Sequence, residues 1–204
     1  MRKTVITFIL AAAAALGCAA GAAAAPAQVV LIRHAEKPDY GNQLSERGFR
    51  RAEALVRFFL NEAAVTRYGA PAAIYAAAPK HEDSSIRSIQ TVQPLAGALG
   101  LEPIVKFTRG QARKLAADIM ENPAYEGRMV LVCWQHGNLP DIVRELAEYG
   151  GATQAALAAL PGEWPDKVYD RAWIVDFYNG GVAAFSDIPQ HLLPGDSEKS
   201  TENE

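Results

Sequence analysis

Two arginines and two histidines stand where the chain changes from apolar runs to polar junctions. Arg33-His34 closes the apolar run 29–32, and His136 follows the run 129–134 after a single glutamine. Arg87 follows the polar stretch 79–85. A planar guanidinium binds phosphate oxygens through two parallel hydrogen bonds, which an ammonium group cannot do. A neutral imidazole attacks phosphorus once its other nitrogen donates to a fixed acceptor. Each residue alone reads equally well as a polar turn after a strand. Brought together, the four form a cationic site with a nucleophile in it.

Convergence requires elements that end at one edge. Four apolar residues at 29–32 predict a short strand buried on both faces. Ser45 reads as a helix N-cap, with Leu44 and Phe49 as a hydrophobic staple. Phe49, Ala52, Val56 and Phe59 recur at helical spacing and are expected to face the sheet, with Arg47, Arg50, Arg51 and Arg57 on solvated sides. A second strand is expected over 73–77. A helix capped by Asp83, Ser84 or Ser85 should follow, with Arg87 in its first turn and Pro94 breaking it. Its start is a ready anion site. Residues 102–105 predict a weak strand and 111–120 a helix with Leu115, Ala116 and Ile119 on one face. The run 129–134 is the most apolar strand, and Pro140 suits the first turn of the helix after it. Residues 172–178 and 182–185 flank Asn179-Gly180-Gly181 as a β-hairpin. Strands alternating with helices predict a three-layer α/β/α sandwich with a mostly parallel central sheet. Ligands of such sheets bind beyond the carboxyl ends of the strands, where Arg33, His34 and His136 fall.

The first residues have a different character. A positive start, an apolar alanine-rich run and then small residues predict a signal peptide over 1–25, too short for a stop-transfer helix. Ala15-Leu16-Gly17-Cys18 offers lipoprotein processing at Cys18 as the alternative to an exported periplasmic or secreted protein. Residues 26–190 are then one domain, and 191–204 a polar tail expected to be disordered. Loss of Arg2 and Lys3 takes the formal charge from −3 to −5. That balance, without a basic run, argues against a nucleic-acid surface. Cys133 is the one cysteine outside the leader, in an apolar run, so it is expected to be buried and inert. The dispersed His34, His81, His136 and His191 spell no metal motif. Nothing in the sequence sets an oligomeric state.

Val30-Leu31-Ile32-Arg33-His34-Ala35-Glu36 resembles the opening Arg-His-Gly motif of the histidine phosphatase superfamily, with alanine for glycine. Leu44-Ser45-Glu46-Arg47-Gly48 resembles its Leu-Thr-x-x-Gly helix start, Arg87-Ser88-Ile89-Gln90-Thr91 its Arg-Ala-x-Gln-Thr segment, and His136-Gly137-Asn138 its second histidine. The match runs from about 29 to 185 in the family's order. The resemblance implies a phosphoglycerate mutase-like fold and a small phosphorylated substrate hydrolysed without metal or cofactor. In that scheme His34 becomes a phosphohistidine, Arg33 and Arg87 hold the phosphoryl oxygens, and His136 donates to another. Gly137 stands where one branch of the family has aspartate, which points to the other branch. That branch usually takes a glutamate from the region after the Arg87 helix, and here only Glu102 is available. Glu36, Glu82, Asp83, Asp166 and Asp170 are the other candidate acids, each of which also reads as a salt-bridge or capping group. Lys37 and Arg109 read as selectors of an anionic substrate or as solvated charges, and His81 as a substrate contact or a bystander. A catalytically weak phosphate- or phosphoprotein-binding module of the same fold is the alternative function.

Overall fold

Alternate residues of the first strand divide between two cores. The structure, a computed structural model, describes residues 25–196. In chain order it contains β1 (Gln28–Arg33), α1 (Glu46–Asn61), α2 (Ala63–Thr66), β2 (Ala73–Ala76), α3 (Arg87–Leu99), α4 (Ala112–Met120), β3 (Met129–Trp134), α5 (Leu139–Tyr149), α6 (Gln154–Ala158), β4 (Arg171–Tyr178) and β5 (Gly181–Pro189). The sheet order is β2-β3-β1-β4-β5. β1 and β2 each pair with β3 in parallel, and the hairpin adds β4 antiparallel to β1 and β5 antiparallel to β4. Asn179 and Gly180 both take positive φ, 50° and 78°, as the tight hairpin turn requires.

Val30 and Ile32 of β1 join Leu55, Phe58 and Phe59 of α1 and Val92, Leu95 and Ala96 of α3 on one face. Val29 and Leu31 join Leu115 and Ile119 of α4 and Ile142, Val143 and Leu146 of α5 on the other. The three layers expected from the alternation are therefore present. Trp134 and Cys133 are fully buried, and burial pushes the Cys133 thiol far up, so it stays protonated and unreactive. Trp164 packs on Trp173 with ring centroids 4.7 Å apart, closing the second core under the loop 162–170.

Several local expectations are corrected. The buried face of α1 runs through Gly48, Arg51, Ala52, Leu55, Phe58 and Phe59, while Phe49 is 45% exposed and Val56 only half-buried. Gly48 sits against the Glu36 carbonyl, and Arg51 is drawn inward by ion pairs with Glu36 and Asp196, which sets the helix rotation. Arg51 is thus no solvated charge. Pro94 does not break α3: Thr91, Val92, Leu95 and Ala96 pack on both sides of it and carry the helix through. No side chain caps that helix. Ile86 holds the cap position, and only a long contact of 3.4 Å runs from Arg87 N to Ser85 Oγ. Residues 102–105 form one bridge rather than a strand: Ile104 exchanges hydrogen bonds with Ile74 and Ala76, and Pro103 has no N–H to extend the ladder.

The start of the expected tail is ordered. Asp196 accepts from Leu192 N, Leu193 N and the Arg47 and Arg51 guanidiniums, so residues 190–196 are tied to α1. The leader expected over 1–25, apart from Ala25, and the tail beyond 196 lie outside the described residues. No described helix is long and apolar enough to cross a membrane.

Candidate active site

His34 is the first residue past β1, and its backbone N–H donates to Trp134 O at 2.9 Å, joining the ends of β1 and β3. The next residue, Ala35, donates to Thr91 Oγ1 at 2.8 Å, and that hydroxyl donates to Arg87 O, so α3 clamps the same turn. The imidazole is buried, with 6% of the residue exposed. Its Nδ1 lies 2.8 Å from Ala35 O. A carbonyl only accepts, so Nδ1 carries the proton and the Nε2 lone pair is left available. Burial pushes the imidazole pKa down to about 4 against the Ala35 hydrogen bond, which raises it, and Arg33, Arg87 and His136 add to the lowering. At neutral pH the ring is uncharged and nucleophilic.

Arg33 is held from the other side. Its side chain is wholly buried, and Nη1 donates to the carbonyls of Pro165, Asp166 and Val168. Its Cζ lies 3.8 Å from the Tyr169 ring centroid, and Nε has no partner among the described residues. Nη2 is 3.2 Å from Asp166 Oδ1. The same carboxylate oxygen is 3.4 Å from His136 Nε2, at the turn following β3. Asp166 thereby joins the two groups expected to hold a phosphoryl oxygen. Desolvation raises its carboxyl pKa, but the charges of Arg33, Lys37 and His136 and the Arg33 hydrogen bond together outweigh that and hold it below the usual carboxylate range. Burial, and then Arg33, push the His136 imidazole down.

Arg87 opens α3. Its Nε donates to Gln43 O at 2.9 Å and Nη2 to Gly41 O, which ties the loop before α1 to the site. His34 and Arg87 line a cleft of about 510 Å³ with residues 77–81, Ser84, Ser85, Ser88, Arg109 and Gln135. No carboxylate lines it.

The expected acids distribute as follows. Glu36 is taken up by Arg47 and Arg51, whose hydrogen bonds and charges overcome its burial and lower its pKa; Arg33 is not its hydrogen-bond partner. Glu82 is exposed and outside the cleft, while Asp83 lines a separate recess with Gly41, Asn42, Ser85 and Arg87. Asp170 is buried and lines a separate recess with Glu36, and Glu102 is exposed after α3. Asp166 alone of these contacts both Arg33 and His136. His81 and Arg109 both line the cleft, and Lys37 is exposed. Tyr169, with its ring 6.3 Å from that of His34, had no signal beyond an aromatic residue in a loop. Among the described residues no group of three or more His, Cys, Asp or Glu is placed to hold a metal ion.

No family model matches this chain, and neither does any curated protein. Solved structures do. A SixA protein from Agrobacterium tumefaciens, provisionally named a phosphohistidine phosphatase, is 23% identical with a TM-score of 0.50, over 79% of this chain and 98% of that one. The protein histidine phosphatase SixA in complex with tungstate is 15% identical with a TM-score of 0.47, over 80% of this chain and 97% of that one. The first likeness shows the fold: the chain has the phosphoglycerate mutase-like architecture of the histidine phosphatases.

Proposed function

We propose that this chain, on the fold it shares with histidine phosphatases, hydrolyses a phosphomonoester through a covalent phosphohistidine on His34, without a metal. The observation that carries the reading is the His34 imidazole, neutral, with Nδ1 fixed on Ala35 O and set among Arg33, Arg87 and His136. In the first step Nε2 forms a bond to phosphorus as the ester P–O bond breaks, and the leaving oxygen takes a proton from solvent. In the second, water adds to phosphorus, the P–N bond breaks, and phosphate departs with His34 restored. Arg33, Arg87 and a donating His136 Nε2–H stabilise the charge on the transferring oxygens, and losing one such donor typically costs on the order of 10²–10³ in rate. To bind between Arg33 and His136 the phosphoryl group displaces the Asp166 carboxylate. With no carboxylate in the cleft, esters with a good leaving group are favoured. We infer an exported, periplasmic or secreted setting from the sequence of residues 1–25, with lipid anchoring at Cys18 as the alternative.

The test is hydrolysis of p-nitrophenyl phosphate in EDTA by the wild type and His34→Ala, with mass analysis of the quenched enzyme. The expected result is turnover that survives EDTA, disappears in His34→Ala, and leaves one phosphoryl group on the peptide containing His34. Phosphate binding by a folded wild type that neither turns over nor phosphorylates would instead establish a binding module.

A further inference from the structure

The cleft beside His34 carries more positive charge than one phosphoryl group requires. Lys80, Arg87 and Arg109 line it together with His34 and His81, and no carboxylate does, in a chain whose formal charge is −3. The two charges of a phosphomonoester dianion are matched by Arg33 and Arg87. Lys80 and Arg109 remain, and neither has a carboxylate partner among the described residues.

The surplus charge is braced before any ligand arrives. Arg109 O accepts from the indole of the fully buried Trp134 at 3.0 Å, which pins the loop to the end of β3. Thr108 donates through N and Oγ1 to Gln111 Oε1, and Ala78 N donates to Phe107 O, closing the same loop on the strand side. Arg109 Nη1 is 3.4 Å from Gln135 Oε1, on the residue just before His136. Across the cleft, His81 and Ser84 exchange two hydrogen bonds of 3.0 Å, which holds the turn carrying Lys80. A guanidinium on a fixed loop loses little freedom when it binds a planar or tetrahedral anion. The cleft volume falls within the range of small-molecule sites, about 300–1,000 Å³.

We propose that this cleft selects small phosphomonoesters bearing a second anionic group, carboxylate or phosphate, which Arg109 and Lys80 hold while the scissile phosphoryl group lies at His34. The inference rests on the phosphatase reading for its substrate, but it is tested by binding alone. Phenylphosphonate, 4-carboxyphenylphosphonate and 1,4-phenylenebisphosphonate are titrated calorimetrically into the full chain at physiological ionic strength. A charge-assisted contact predicts that the second anion tightens binding roughly tenfold over phenylphosphonate. The carboxylate and phosphonate arms show which anion is preferred.

In Arg109→Gln combined with Lys80→Gln, the advantage is expected to shrink to within about twofold, with phenylphosphonate affinity reporting that the site is intact. Arg57→Gln combined with Arg144→Gln, exposed charges on α1 and α5, controls for the loss of two charges and keeps the advantage. Equal affinity for all three ligands in the wild type overturns the proposal. So does an advantage that persists in the double variant, or tighter binding of an acidic phosphopeptide than of either ligand with two anionic groups. A tenfold advantage in a protein that never phosphorylates on His34 leaves this subsite standing and removes the phosphatase reading.

Discussion

Asp166 places one carboxylate oxygen 3.2 Å from Arg33 Nη2 and 3.4 Å from His136 Nε2, so it acts as an internal anion in competition with phosphate. Its side chain is 66% exposed, and exposed pairs contribute at most about 1 kcal/mol. Asp166→Asn is therefore expected to tighten inorganic phosphate binding by up to about fivefold, read as a lower inhibition constant, and weaker binding would show that the carboxylate supports the site instead. Arg33, His34, Arg87 and His136 were legible because each sits at the end of a strand or the start of a helix. Asp166 and Tyr169 reach them from a loop more than 130 residues along the chain from His34. No periodicity reports such a contact. Asp166 was visible only as one carboxylate among several, and Tyr169 not at all.

At the level of elements, α1 is positioned by a glycine and an arginine. A Cβ on Gly48 would meet Glu36 O well inside van der Waals contact, and Glu36 is two residues from His34. Gly48→Ala is expected to cost about 1–3 kcal/mol in urea unfolding and to lower kcat by displacing the His34 turn. Full activity in that variant would show that the turn gives way freely. Arg51 is 2% exposed and bonds Glu36 and Asp196, each itself mostly buried. Arg51→Met strips that charge from both carboxylates and should destabilise by roughly 3 kcal/mol, measured the same way. The N-cap at Ser45 was readable because capping is local, and Ser45 Oγ accepts from Gly48 N at 3.1 Å. The rotation of α1 was not. It depends on Asp196, 145 residues further on, in a stretch whose polarity reads as disorder.

For the molecule as a whole, the site makes folding sensitive to acid. His34 has a pKa near 4 folded against 6.5 unfolded, so the folded chain binds fewer protons between those values. Stability is full above about 6.5 and falls with pH until about 4, a loss of about 3 kcal/mol. Asp196 is also partly desolvated, but the Arg51 hydrogen bond outweighs that and holds it at about 2 against 3.8, so its contribution goes as pH falls from 3.8 through 2. Urea midpoints should decline in two steps, and His34→Gln should remove most of the upper one, the remainder coming from His136, whose pKa is also lowered. An unchanged upper step in that variant would assign it to other groups. The layered architecture was the most legible feature, because β1, β3 and the hairpin carry their periodicity locally. The weakly apolar stretch 102–105 depended on partners for its structure and was misread as a strand.

All three tryptophans of the chain sit at mechanically distinct points. Trp164, inside the loop that carries Asp166, donates from Nε1 to Val168 O at 2.9 Å and packs at a tilt against Trp173. Trp134 is bonded to the backbone of Arg109. The protein thus contains its own optical gauge. Adding vanadate or phosphate should shift the indole emission saturably as the Asp166 loop readjusts, and Trp164→Phe should silence that signal while Trp134→Phe preserves it. An emission spectrum indifferent to a ligand that demonstrably binds would mean the loop stays still while the carboxylate alone swings aside.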